Sequence, residues 1–334
     1  MSDRIYQTVL GNIDEGSLGH TQPHEHIYIV GTTDQEICPL ICMNNLPLSA
    51  KELILYHEKG GNTVVDANPL ATGRDALALQ DISRLSGVNI IATTGYHIPK
   101  FYRADHWIWT MPEEELEEIF ASEITDGMFM EGFYVKPTFR TDVKAGLVKA
   151  MITHDGMDNP DTVRCLTAAG RAAKRTGASI MVHTDGVDEL KMIDLLAGKI
   201  GLDPKSILVC HVDRQVKDLK RHEEIAATGV FMEYDTITLF QFHNNADELR
   251  MLRHMADKGF LDQILISTDP ETDRMKAYGS KVGIDYILEH FIPLMQLCGF
   301  SAEEIEKITR INPARALCIG CRNLLTNSNL YIYS

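Results

Sequence analysis

Short apolar runs rich in β-branched residues recur along the chain, each closed by polar residues and followed by a stretch with helical spacing. Eight such runs predict strands: residues 21–29, 62–68, 89–97, 145–152, 179–185, 206–213, 230–235 and 263–269. Between them, 161–176, 249–259 and 283–298 predict amphipathic helices. The last puts Ile284, Ile287, Leu288, Phe291, Leu294, Met295 and Cys298 on one face, with a kink expected at Pro293. Gly299 then supplies a stop, and Ser301-Ala-Glu-Glu304 reads as a capping box opening the next helix. Eight β/α alternations without a linker or low-complexity segment predict a closed (β/α)8 (TIM) barrel occupying residues 1–334 as one domain, about the last dozen residues forming a tail. A doubly wound open sheet is the competing architecture, but it calls for a glycine-rich turn after the first strand, and none is found there.

Composition narrows the partners. With 47 acidic against 32 basic residues the formal net charge is -15, which argues against nucleic acid or an anionic membrane and points to a small-molecule substrate. No apolar run reaches the ~20 residues of a membrane span. Seven cysteines, at 38, 42, 165, 210, 298, 318 and 321, are an odd count without framework spacing, and no signal-like segment opens the chain; a reducing cytoplasm is expected. Cys318-Ile-Gly-Cys321 is a lone CxxC with no second pair, and its role stays open.

In a barrel of this kind chemistry sits at the C-terminal ends of the strands. His24 and His26 lie one residue apart within the first run, so in extended chain both imidazoles face one side. His183, His211 and Asp269 sit near the ends of the fifth, sixth and eighth runs. Any one of them alone fits a core histidine or a helix cap; together at one rim they suit zinc, manganese, iron, cobalt or nickel better than calcium or magnesium. Five ligands are too many for one tetrahedral ion and too few for two without a bridge. Lys149 interrupts the apolar fourth run, where a lysine is costly unless its amine is neutral or modified. Carbon dioxide would turn that amine into a carbamate able to bridge two metals. Lys136 is the rival, disfavoured because the following Pro137 makes its segment a poor interior strand.

These residues, with Ile90-Ile-Ala-Thr-Thr-Gly95, Ala145-Gly-Leu-Val-Lys149, Leu261-Asp-Gln-Ile-Leu-Ile-Ser-Thr-Asp269 and Asn312-Pro-Ala-Arg315, resemble the phosphotriesterase-related, lactonase-type branch of the amidohydrolase superfamily. The resemblance runs from about residue 5 to about residue 320 and selects Lys149 over Lys136. It implies two divalent ions, zinc first. His24, His26 and Asp269 would hold the more buried ion, His183 and His211 the more exposed one, and carboxylated Lys149 with a hydroxide would bridge them. The expected activity is hydrolysis of a lactone or other carboxylic ester of a small polar substrate, with Asp269 taking a proton and passing it to the leaving group. A phosphotriesterase or amide hydrolase of the same mechanism, or a non-catalytic metal-binding barrel, are the alternatives.

Where family phosphotriesterases carry an acidic residue and a histidine that relay a proton outward, this chain has Arg214 and Thr236. Organophosphate hydrolysis is therefore disfavoured, and Arg214 suggests an anionic substrate. Arg274, Lys276 and Tyr278 after the eighth run are candidates to clamp a phosphate or carboxylate. Tyr96 and His97 are expected to line the pocket. The aromatic insertion Phe101, Tyr102, Trp107 and Trp109 reads as a lid or as a subunit contact, with a homodimer expected.

Overall fold

A computed structural model describes residues 4–30, 38–130, 132–152 and 154–320 of the chain. An antiparallel hairpin, β1 (Ile5–Thr8) and β2 (Gly11–Asp14), comes first and has no counterpart among the eight runs. Eight strands then follow in one sheet: β3 (His20–Glu25), β4 (Gly61–Asp66), β5 (Asn89–Gly95), β6 (Leu147–Met151), β7 (Ile180–His183), β8 (Ile207–Val209), β9 (Phe231–Tyr234) and β10 (Ile264–Ile266). Each ladder is parallel and joins neighbours in chain order, which is the topology of a (β/α)8 barrel.

The first and last strands approach without a regular ladder, and side chains close the seam. The His24 N–H donates to Ser267 Oγ at 2.9 Å and the Asp269 N–H to His24 O at 3.3 Å. Thr268 donates twice to the Glu25 carboxylate, from its N–H at 3.0 Å and its hydroxyl at 2.6 Å. Pro23 has no N–H to give, and β3 shifts register against β4 between Gln22 and Glu25.

All eight predicted runs become strands, but shorter ones. β8 ends two residues before His211 and β10 three before Asp269, because the backbone leaves the ladder there. His211 (φ 60) and Asp269 (φ 44) occupy the left-handed region that disfavours side-chain-bearing residues. The helix at Pro160–Thr176 is capped by Asn159 and stopped by left-handed Gly177, and Asn245–Asp257 starts four residues before the expected boundary. The predicted helix 283–298 instead contains a π-helical turn, Ile287–Phe291, followed by Ile292–Leu297. The wider turn accommodates Pro293, which lacks the N–H and would crowd an α-helical carbonyl. The capping box at Ser301 and Glu304 is present. Cys318 is disulfide-bonded, while Cys321 and the expected tail lie outside the described residues.

Strand alternation sorts the apolar residues into two layers. Val148, Ile180, Val209, Met232 and Ile264 face the helices. Leu147, Met181, Leu208, Phe231 and Leu265 point inward and fill the lower barrel, joined by Tyr6 from the hairpin. Tyr6 also donates its hydroxyl to Ala314 O at 2.9 Å, tying β1 to the C-terminal helix Asn312–Ala316.

Candidate metal centre

Above that apolar floor the inward positions turn polar. Lys149 follows Leu147 on β6, His183 follows Met181 on β7, and Glu233 follows Phe231 on β9, with Asp235 just past its end. The loops after β3, β8 and β10 add His26, His211 and Asp269 to His24 on β3 itself. Six residues singled out in the sequence, His24, His26, Lys149, His183, His211 and Asp269, thus meet at one end of the barrel.

Each imidazole is oriented from behind. His24 Nδ1 lies 2.8 Å from Glu233 Oε2 and 2.9 Å from Asp235 Oδ2, which turns its Nε2 inward. His211 Nδ1 lies 2.7 Å from Asp235 Oδ1, and His26 Nδ1 lies 2.7 Å from Asn68 Oδ1. Acceptors at Nδ1 place the hydrogen there and leave Nε2 as the inward lone pair. His183 is reversed: Nε2 faces Asp185 Oδ1 at 3.3 Å, and Nδ1 approaches His211 Nε2 at 2.7 Å. With their hydrogens directed to Asp235 and Asp185, the two facing ring nitrogens present lone pairs converging on the same point. Asp269 Oδ1 stands 3.1 Å from His26 Nε2 and 3.7 Å from His24 Nε2. His24, His211 and Asp269 offer ligand atoms all within 4.8 Å of one another.

Lys149 is fully buried, and the nearest groups to its Nζ are poor partners for an ammonium: His24 Nε2 at 3.1 Å, Met181 Sδ at 3.3 Å and Cys210 Sγ at 3.8 Å. Lys136 is exposed and pairs with Glu115 at 2.7 Å. Burial pushes His183 down to about 4 and His211 well below its ordinary value, keeping both neutral as metal ligands must be. At His24, burial and the Lys149 amine press the value down, but the charges of Cys210 and Asp235 prevail and raise it. Burial pushes Asp269 up as well, yet the hydrogen bond from His26 and the charges of His24 and His211 hold it well below the carboxylate range. Asp235, which burial pushes up but His211 and His24 hold below the carboxylate range, and Asp269 keep negative charge among these imidazoles, an arrangement that a cation neutralises. Imidazole nitrogens with carboxylate oxygens fit a divalent transition metal.

A cavity of about 330 Å³ opens over these residues and suits a small ligand. His97, Phe101, Arg214, Phe242 and Arg274 are on its wall. Arg214 donates to Asp269 Oδ2 at 3.1 Å and packs over the Phe242 ring at 5.0 Å. Arg274 is turned to the backbone, donating to Thr268 O at 2.7 Å and Asp269 O at 2.6 Å. Lys276, Tyr278 and Tyr96 do not reach this wall. Lys276 is spanned by Asp285 at 2.6 Å and Glu289 at 2.7 Å, Tyr278 meets Ser49 at 2.9 Å, and Tyr96 is buried with its hydroxyl on Met151 O at 2.7 Å. Of the aromatic insertion, Phe101 packs on His97 at 4.9 Å and Tyr102 is buried, accepting the His97 N–H at 2.9 Å. Glu233, Asp235 and Asn68 were not singled out in the sequence. Two acids at i and i+2 in a buried β-run, as in Phe231-Met-Glu-Tyr-Asp235, are the signal that marks the first two.

The profile of the phosphotriesterase family matches residues 4–317. The chain belongs to that family. A phospho-furanose lactonase of Mycoplasmopsis synoviae is 29% identical over 328 residues, covering 95% of this chain and 92% of that protein. Among solved structures, an amidohydrolase from Mycoplasma synoviae superposes with a TM-score of 0.91 at 29% identity, covering 96% of this chain and 93% of that one. A lactonase from Listeria monocytogenes superposes with a TM-score of 0.85 at 28% identity, covering 94% of this chain and 98% of that one. Family membership and the buried donor cluster together indicate a hydrolase that depends on a divalent metal. Among the described residues no helix is long and apolar enough to cross a membrane.

Proposed function

We propose that this phosphotriesterase-family protein is a binuclear lactonase acting on a small polar lactone. The observation that carries this reading is the buried Lys149 amine beside His24 Nε2, among inward-facing imidazoles and the Asp269 carboxylate. Reaction of that amine with carbon dioxide would give a carbamate, a two-oxygen anion able to bridge two metals. His24, His26 and Asp269 would hold one ion, His183 and His211 the other, and Lys149 as carbamate both.

When bound, two such ions, zinc foremost, lower the pKa of a shared water from 15.7 towards ~7 and polarise the substrate carbonyl. The chain's own residues do the rest. Glu233, Asp235 and Asn68 hold the imidazole tautomers. Asp269, kept ionised, accepts the proton of the attacking water at a carboxylate oxygen and returns it to the leaving alkoxide. Arg214 fixes the outer oxygen of Asp269 and presents its charge at the cavity wall, favouring an anionic substrate. Because Lys276 and Tyr278 lie off the wall, they are left out of substrate binding, and a phosphate clamp would fall to Arg214 and Lys100. A homodimer in the cytoplasm completes the reading.

Hydrolysis assays of the zinc-loaded chain on lactones, phosphorylated lactones, N-acyl amino acids and phosphotriesters test it. Lactones, with or without phosphate, are expected to turn over fastest; preference for phosphotriesters overturns the assignment. Lys149→Ala should be inactive and partly rescued by short carboxylates, and full activity without them would sink the carbamate.

A further inference from the structure

Beside the candidate centre, behind the cavity wall, a second set of ligand-type side chains is buried. Asp213 follows β8, His243 lies in the loop after β9, and Glu248 is in the first turn of Asn245–Asp257. All three are buried, 0%, 6% and 1% exposed, and none lines the cavity. His243 Nε2 is 3.5 Å from Asp213 Oδ2, 3.2 Å from Glu248 Oε2 and 3.1 Å from Thr236 Oγ1. One ring nitrogen carries at most one hydrogen and satisfies one of these oxygens.

The others are left over. The Thr236 N–H reaches Asp213 Oδ2 at 2.6 Å, but Asp213 Oδ1 and both oxygens of Glu248 have no hydrogen-bond partner. A buried acceptor without a donor costs about 1–3 kcal/mol, and more when charged. The three residues offer ligand atoms within 4.8 Å of one another. A tetrahedral ion bound at about 2.0–2.2 Å sets its ligand atoms about 3.4 Å apart, close to the separations around Nε2.

We propose that Asp213, His243 and Glu248 form a separate mononuclear site for a divalent transition metal ion, distinct from the centre over Lys149. Two carboxylates balance a dication, and the imidazole selects zinc, manganese or iron over calcium and magnesium. The ion ties the segment after β8, the loop after β9 and the following helix at one point. That loop supplies Leu239, Gln241 and Phe242 to the cavity wall and holds Thr238 at a φ of 87. The third ion is thus a brace for the substrate wall and takes no part in bond breaking.

Metal counting decides the matter. The metal-loaded wild-type chain, dialysed into metal-free buffer, should retain about three ions, and His243→Ala and Glu248→Gln about two each. His183→Ala, which takes a ligand from only one ion of the centre over Lys149, should still keep about two ions, one of which adding His243→Ala removes; this arm separates the two sites even if the lactonase reading fails. Each His243 and Glu248 variant should also lose part of the metal-dependent rise in Tm seen for wild type. A count that neither substitution lowers, in wild type or in His183→Ala, overturns the site. A more stable Glu248→Gln with an unchanged count would identify a protonated carboxylate in place of an ion and equally overturn it. The wild-type count needs no variant to fold, and a value of about two or less counts as refutation when adding His243→Ala to His183→Ala removes no ion.

Discussion

Along β6 the inward residues run Leu147 then Lys149; along β9, Phe231 then Glu233, with Asp235 just past its end; after Leu265 on β10, Ser267 and Asp269 follow in the loop. The floor and the site of this barrel are therefore built by the same strands and the first residues beyond their ends. They tolerate change differently. The floor is held by contact area, which is non-directional and roughly proportional to what is buried. The site depends on aimed lone pairs, each set by a partner behind it, so the loss of one oxygen acceptor misdirects a ring that keeps all its packing.

Three substitutions break this contrast in graded ways. Asp269→Asn keeps the shape of the site and removes the proton acceptor; turnover should fall by as much as about 10⁴-fold while metal content, measured in parallel, stays largely intact. Retained turnover would dismiss Asp269 from proton transfer. Phe231→Ala attacks the floor beneath Glu233 and should cost about 3–5 kcal/mol in denaturant unfolding, with activity per folded molecule reduced far less. Equal loss of both would show that floor and site are one mechanical unit. Asn68→Ala frees the His26 ring and should weaken metal affinity or activity by roughly 10–100-fold with little change in unfolding free energy. A stability loss as large as that of Phe231→Ala would place Asn68 with the floor instead.

The floor was easier to read in the sequence than the site. Apolar β-branched runs mark the eight strands because both faces of each are buried, against helices outside and side chains inside. Their ends were less legible: His211 follows Cys210 directly and Asp269 comes three residues after Ile266, yet the chain has already turned at both. The six converging side chains stand out as polar residues where apolar ones belong. Asn68 carries no such mark, since it closes a run that any turn residue could close. Charge in a loop is the weakest signal of all. Lys276 looks like an anion clamp until the fold brings Asp285 and Glu289, 9 and 13 residues further on, around its amine. The β1–β2 hairpin escaped because its strands are four residues each and too short to show a period.

The left-handed backbone at His211 and Asp269 sets stability and chemistry against each other at two positions. Each conformation costs of order 1–3 kcal/mol for a residue with a Cβ, and glycine alone would relieve it. Glycine would also delete the side chain that meets the site, whereas any other replacement keeps the strain and supplies a different group or none. Random change at residues 211 and 269 can thus improve the scaffold only by abandoning the chemistry, so a lineage that loses its substrate has an immediate thermodynamic reason to lose these two residues first.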